Sequence, residues 1–437
     1  MPAQSWRRRA IVLALTATCM AACTSQTSGE DTGTPAPVST ATSRSSAPSS
    51  AYSPQPTDTT QSTGPSPGTP GTLKIVPDSE LDSVGAIAQT AAPSNPTNPA
   101  GDGSARCTGV AIAAVGSFTG PDGAFAQNVL GGAKVAVNVH NSANKGCQVE
   151  LKEFDLGAGS ADAATVAQQI ADDRSIVGVV GPVFTSEMLA SGAIFDKAGL
   201  ATLTPSATAT ELAKKGWNTF FRGVANDTVQ GVALGKYLVT TETYFKVCVL
   251  SDDSAYGLGL AKQVTKSLGG SADPPCSATV PAANTDLTAI ADKINAESPD
   301  AVYYAGFYPQ TAPLLTALRK AGVTAAFVSS DGSNAQQFLD VTDTAANGTT
   351  ISCGCAPAPD AFAKQYAALI KQDPGAYSTE SYDLATILLT AVDGGKVDRP
   401  AVTKFVRSYQ GPGLARTYSW NADGELPTPH IWIYQVQ

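Results

Sequence analysis

The sequence predicts an α/β protein of two three-layer lobes, each with a parallel central sheet, joined by a multi-strand hinge. Three observations lead there. From about residue 106, short apolar runs alternate with Ala-rich helical stretches. Strands that are apolar throughout are buried on both faces, as in parallel sheets covered by helices. The alternation breaks at Arg222-Gly223-Val224-Ala225-Asn226-Asp227 and then restarts. More than 300 residues follow the N-terminal region, which is large for one core.

Residues 1–22 read as a lipoprotein signal peptide. Arg7, Arg8 and Arg9 precede an apolar run at 10–17 that is too short to span a membrane as a helix. The run ends in Met20-Ala21-Ala22-Cys23, which resembles a bacterial lipobox with Met20 where Leu is usual. Cys23 is the expected lipidation site, which puts the chain outside the cytoplasm, anchored to the outer face of the cell membrane. Residues 23–104 read as a low-complexity tether and N-terminal extension. Up to about Gly71 the tether is Ser, Thr, Pro and Gly, and it buries too little apolar surface to offset its ordering entropy. Residues 73–101 carry Leu73, Ile75, Val76, Val84 and Ile87 but are broken by Pro93, Pro96 and Pro99. They read as a short surface helix or as further linker.

The regular elements then follow in pairs. Strand-like 110–115 precedes helical 124–141, 149–154 precedes 161–173, and 176–180 precedes 186–197. Strand-like 200–203 precedes a helix at 208–215. After the break, 247–250 precedes 257–268 and 301–304 precedes 311–320. Segments near 350–355 and 418–420 would cross between the lobes again. The expected division is 105–223 with 355–415 for the first lobe and 224–354 with 421–437 for the second. Several crossings make a hinge, because few torsions then set the angle between rigid lobes.

Without residues 1–22 the chain has 25 basic and 37 acidic residues, a net charge of −12. That argues against nucleic acid or an anionic membrane surface as a partner. Six cysteines remain after Cys19 and Cys23: Cys107, Cys147, Cys248, Cys276, Cys353 and Cys355. Six cysteines allow 15 pairings. Proximity favours Cys107–Cys147 and Cys248–Cys276, leaving Cys353-Gly354-Cys355 to close a tight ring. No His accompanies these cysteines, and an exported chain favours disulfides over a metal site. No cofactor is expected.

Ligands of parallel sheets bind beyond the carboxyl ends of the strands. In LATLTPSATATEL (200–212) an apolar run stops at Thr204-Pro205, and Ser206, Ala207 and Thr208 lead into a helix start. Such residues serve as an N-cap, as an anion seat, or as both.

The ordered motifs FTGPDGAFA, GPVFTS, TPSATATEL, SDDSAYGLG, YYAGFYP and SSDG follow successive strands. Their combination resembles the solute-binding proteins of branched-chain amino-acid ABC transporters, which have the type I periplasmic-binding fold. The resemblance covers about 110–437. It implies a ligand carboxylate held at Thr185, Ser206, Ala207 and Thr208. It implies an ammonium partner at Asp331, where leucine-type binders carry Glu, with Glu187 as another acid able to reach the pocket. It implies a side-chain pocket at Phe125, Tyr256, Phe307 and Tyr377, with Phe125 in place of a Trp and Phe307 in place of a Tyr. Partners implied are a small solute and the membrane permease subunits, with the binding protein itself a monomer.

The expected mechanism is capture on the first lobe followed by closure of the second, driven by contacts that the ligand makes only in the closed state. The same fold could take an amide, urea or an aromatic acid, or serve as a sensor module for a signalling partner. An enzyme lacks support. The only histidines are His140 and His430, far apart in sequence, and no G-x-S-x-G elbow, P-loop, zinc motif or G-x-G-x-x-G is present.

Overall fold

The computed structural model describes residues 73–88, 93–157 and 159–437. The expected signal peptide, Cys23 and the tether lie outside them. In chain order the first elements are β1 (Ile75–Leu81), β2 (Ile87–Ala88), β3 (Ala111–Gly116), α1 (Gly123–Ala143), β4 (Glu150–Asp155), α2 (Ala163–Asp172), β5 (Ile176–Val180), α3 (Thr185–Lys197), β6 (Ala201–Thr204) and β7 (Phe220–Arg222). There follow α4 (Asp227–Thr240), β8 (Val247–Ser251), α5 (Ala255–Leu268), β9 (Ala278–Thr279), α6 (Thr288–Glu297), β10 (Ala301–Ala305), α7 (Tyr308–Lys320), β11 (Ala326–Ser329), α8 (Gln336–Thr342) and β12 (Thr350–Cys353). The chain ends with α9 (Asp360–Ile370), α10 (Ser378–Asp393), α11 (Arg399–Arg407), β13 (Gly411–Pro412), β14 (Thr417–Tyr418) and β15 (Ile431–Val436).

The first lobe is a parallel sheet in the order β4-β3-β5-β6-β7. Successive side chains of β3 leave opposite faces. Ile112 joins one core with α1, α10 and α11, while Ala111, Ala113 and Val115 join another with α2 and α3. A strand covered on both faces must be apolar at every position, and the sequence pattern reflects this. Ala and Gly on α1 let α10 approach closely; a side chain on Gly132 would collide with the Ser378 carbonyl.

The second lobe repeats the plan in the order β2-β1-β15-β12-β11-β10-β8-β9. Its β9-β8-β10-β11-β12 part is parallel. Val249 and Tyr303 pack under α4 and α5, and Leu250 and Tyr304 pack under α6 and α7. Beyond β12 the sheet continues with antiparallel β15 and β1.

Strand β1 corrects the expectation of a surface helix or linker at 73–101. Its partner β15 lies some 350 residues later, so nothing local signals the pairing. Leu81 is fully buried. Pro77 falls at a register shift, where a missing N–H is tolerated.

The chain passes between lobes at 223–226 and again after β12. The third crossing comes later than expected. Trp420 donates its ring N–H to the Arg222 carbonyl at 2.7 Å, and the Arg222 N–H bonds the Gly424 carbonyl at 2.9 Å. These bonds hold residues 420–425 to the first lobe, so the crossing falls between Glu425 and β15. The disulfides Cys107–Cys147, Cys248–Cys276 and Cys353–Cys355 all form. The helix expected at 208–215 does not; a 3-10 segment at Thr210–Lys215 stands in its place.

Candidate functional site in the inter-lobe cleft

Loops at the carboxyl ends of both sheets meet across one cleft. The lobes touch there, with the Tyr308 hydroxyl donating to the Pro121 carbonyl at 3.0 Å. Inside is a cavity of about 10 Å³ lined by Phe125, Phe184, Thr185, Ser206, Tyr256, Phe307 and Asp331.

Asp331 forms the second-lobe pole and is 2 % exposed. It starts a single 3-10 turn after β11. Gly332 permits this turn, since a side chain there would strike the Gly306 carbonyl. Its Oδ1 accepts from the Tyr256 hydroxyl at 2.6 Å and the Gln230 amide at 2.9 Å. Its Oδ2 accepts from the Tyr377 hydroxyl at 3.0 Å. Burial pushes its pKa up, and the three donors pull against that. Among the described residues no Lys or Arg pairs with it. The Asp331 carboxyl is thus buried among neutral donors.

Thr185 forms the opposite pole at the first turn of α3, where unpaired N–H groups and the helix dipole favour an anion. Its oxygen accepts from the Ala209 N–H at 3.4 Å, leaving its own proton to donate. The adjoining 206–209 loop is held by Arg222 at the end of β7. The Arg222 guanidinium donates to the Ala207 carbonyl at 2.7 Å and the Ala209 carbonyl at 3.1 Å. Glu425 grips it from the other side at 2.7 and 3.1 Å. Because the Ala207 carbonyl turns to Arg222, the Thr208 N–H of the same planar peptide points away from it.

Two expected anion donors are committed elsewhere. The Ser206 hydroxyl donates to the Val183 carbonyl at 2.7 Å, and the Ala207 N–H to Thr204 Oγ1 at 3.0 Å. The Thr208 side chain is fully buried beside Asp227, outside the cavity wall. Burial first of all raises Asp227 to about 7; Thr208 and Arg222 oppose the rise and Asp331 adds to it. Glu187 is also committed. It accepts from the Ser117 N–H and hydroxyl at 2.8 and 2.6 Å and from the Val183 and Phe184 N–H groups at 3.0 Å. It braces the start of α3 rather than serving the cavity.

The remaining walls are aromatic. Phe125 lies 5.8 Å from Phe184, 6.1 Å from Phe307 and 5.7 Å from Tyr377, centroid to centroid. Tyr377 stands behind the cavity and reaches Asp331 from there. Outside the Phe184–Phe307 pair lies a second cavity of about 170 Å³ lined in part by Asp122, Asp252 and Asp253. Asp122 belongs to the first lobe and Asp252 to the second. Burial, and then the facing Asp252, raise Asp122 to about 6.

The expected residues Phe125, Thr185, Ser206, Tyr256, Phe307 and Asp331 therefore meet in one cavity. Phe184 was not expected there, nor was Gln230 as a partner of Asp331. Gln230 sits within the apolar face of α4 without a motif to mark it. Phe184 lies inside GPVFTS, where its neighbour Thr185 draws the attention. Both histidines are elsewhere: His140 is buried against Asp393 at 2.7 Å, and His430 pairs with Glu80 at 3.1 Å.

Comparison with known proteins identifies relatives of the chain. The periplasmic binding protein family matches residues 109–437. The Leu/Ile/Val-binding protein of Citrobacter freundii is 26% identical over 330 residues, covering 72% of this chain and 88% of that protein. The leucine-, isoleucine-, valine-, threonine- and alanine-binding protein of Pseudomonas aeruginosa is 26% identical over 337 residues, covering 75% and 89%. Among solved structures, the branched-chain amino-acid transporter substrate-binding protein of Streptococcus pneumoniae, in complex with isoleucine, superposes with a TM-score of 0.67 at 25% identity. That match covers 72% of this chain and 93% of the other. Two hinged α/β lobes with the cleft at their strand ends, matched over three quarters of the sequence, mean that this chain belongs to the periplasmic binding protein family.

Proposed function

We propose that the protein is the extracytoplasmic substrate-binding component of an ABC importer, capturing a small amino acid of the branched-chain type by hinge closure. One observation carries this reading: Asp331 lies buried without a cation at one pole of an inter-lobe cavity, and the Thr185 helix N-terminus lies at the other. A zwitterion laid between them satisfies both ends. The α-ammonium meets Asp331 under the Tyr256 and Tyr377 hydroxyls. The α-carboxylate meets the Thr185 hydroxyl, the first N–H groups of α3 and the Thr208 N–H. The aliphatic side chain faces Phe125 and Phe307. Each lobe supplies only one pole, so the ligand's full set of contacts exists only when the lobes meet. That differential is what drives closure.

The closed form would act on permease subunits as a monomer, tethered by lipid on Cys23. No metal or cofactor takes part, and no catalytic step is assigned. The three disulfides suit an oxidising, extracytoplasmic setting. Calorimetry with free amino acids, acetamide, urea and benzoate tests the reading. Amino-acid binding that disappears in Asp331→Ala supports it. Tight binding of a neutral amide or an aromatic acid, unaffected by that substitution, refutes it.

A further inference from the structure

We propose that Phe184 and Phe307, one from each lobe, form an aromatic gate that restricts this site to amino acids with compact side chains, glycine and alanine before leucine and isoleucine. The proposal rests on the amino-acid reading above but departs from its branched-chain preference, placing compact side chains ahead of branched ones.

The two rings meet edge to face at 5.3 Å between centroids. Both line the inner cavity of about 10 Å³ and the outer one of about 170 Å³, as do Thr185 and Tyr256, so the two rings belong to the partition between them. Phe125 closes the triangle, stacked on Phe184 and edge-on to Phe307. Tyr256 packs on Phe307 at 5.2 Å. The inner cavity is about the size of one water molecule. Asp331, Thr185 and Ser206 border it, and the rest of its wall is the rings of Phe125, Phe184, Tyr256 and Phe307, so added side-chain volume must press on a ring.

Both rings are pinned from behind. The Phe184 N–H is held at 3.0 Å by Glu187, the buried carboxyl that also grips Val183 and Ser117. The Phe307 ring packs directly over Gly332, where any side chain would strike it. Neither backbone can retreat without breaking these contacts, so a longer ligand side chain must displace a ring. Close-packed interiors resist such displacement. Glu187 thus acts as a positioning residue for the gate.

The experiment is calorimetry on the full chain with glycine, alanine, valine, leucine and isoleucine, for wild type, Phe184→Ala and Phe184→Leu. Wild type is expected to bind alanine about ten-fold or more tighter than leucine, in the range of roughly 10–200-fold that a methylene in an apolar pocket commands. Phe184→Ala merges the two cavities and is expected to narrow or reverse that ratio by about ten-fold. Phe184→Leu, which keeps apolar packing, reports the same trend if the alanine variant melts below the assay temperature. Wild type binding leucine as tightly as alanine overturns the gate, as does a ratio unchanged in both variants; either result leaves the amino-acid reading intact. Failure of wild type to bind any of the five overturns both.

Discussion

A carboxyl at 2 % exposure with three neutral donors and no cation costs folding free energy. Asp331 is such a group, and its raised pKa records that cost. Asparagine keeps the shape and removes the charge. Asp331→Asn is expected to weaken amino-acid binding by about 100-fold, since a hydrogen bond to a charged group contributes roughly 1.5–3 kcal/mol. The melting temperature of the unliganded protein should stay level or rise. A fall in both would make Asp331 structural and not a binding group. Asp227 makes a related case at the start of α4. Its carboxyl is raised to about 7, chiefly by burial. The native state therefore holds a proton that the unfolded chain has already released near pH 4. Stability should fall as pH rises from about 4 to about 7 and level off above. Asp227→Asn should flatten that part of the stability–pH profile, as read by denaturant melts. At this scale the sequence is uneven. Asp331, Tyr256 and Phe307 are legible because they follow strands. Gln230 is not, because a polar residue one turn into a helix looks like any surface position until the fold turns it onto Asp331.

Elements carry the longer-range logic. The 206–209 loop reads as the entrance to a helix, yet the chain makes only a short 3-10 segment there. Its shape is set instead by Arg222, which gathers two of its carbonyls and is itself fixed by Glu425 from the far end of the chain. Arg222→Met removes the clamp and strands Glu425 at 15% exposure. A loss of about 3–5 kcal/mol is expected, as for breaking a buried ion pair from one side. Glu425→Gln should cost less, because the amide oxygen still accepts from the guanidinium; urea melts separate the two. The same sequence-distant logic hides β1, whose partner β15 closes the chain. The disulfides are legible because two of them join cysteines close in sequence, 40 and 28 residues apart, and the third follows. Chain entropy ranks their effects. Closing the loop of the first contributes about 4 kcal/mol, and closing the three-residue ring of Cys353–Cys355 about 1.5 kcal/mol. Replacing Cys107 and Cys147 with Ser should therefore lower stability clearly more than replacing Cys353 and Cys355. Equal losses would mean that the small ring stabilises the native hinge directly.

At the scale of the whole molecule, two lobes were legible from the broken βα rhythm, and the hinge from the number of crossings. Their meeting surface was not, because it depends on which loops come face to face when the lobes meet. That surface brings Asp122 and Asp252 together from opposite lobes. In the closed state Asp122 is raised to about 6, by burial first and by Asp252 second, and Asp252 is raised by its own burial. Tyr304, Tyr308, Asp253, Glu187 and Tyr256 are further titratable groups around them. Separating the lobes returns Asp122 to water and to an ordinary carboxylate pKa near 4. Between about pH 4 and pH 6 the closed state thus holds a proton that the open state has released. Closure must weaken as pH rises through this window, by at most about ten-fold per pH unit for one proton, and become independent of Asp122 above it. Ionisation of Asp331 acts in the opposite sense, because a ligand ammonium prefers the charged carboxylate. The effect of Asp122 is therefore read as a difference: ligand affinity of wild type relative to Asp122→Asn should fall from pH 4 to pH 6 and then stay constant. A ratio that does not change with pH would show that the two acids do not face each other in the ligand-bound protein, and that the lobes meet along a different surface.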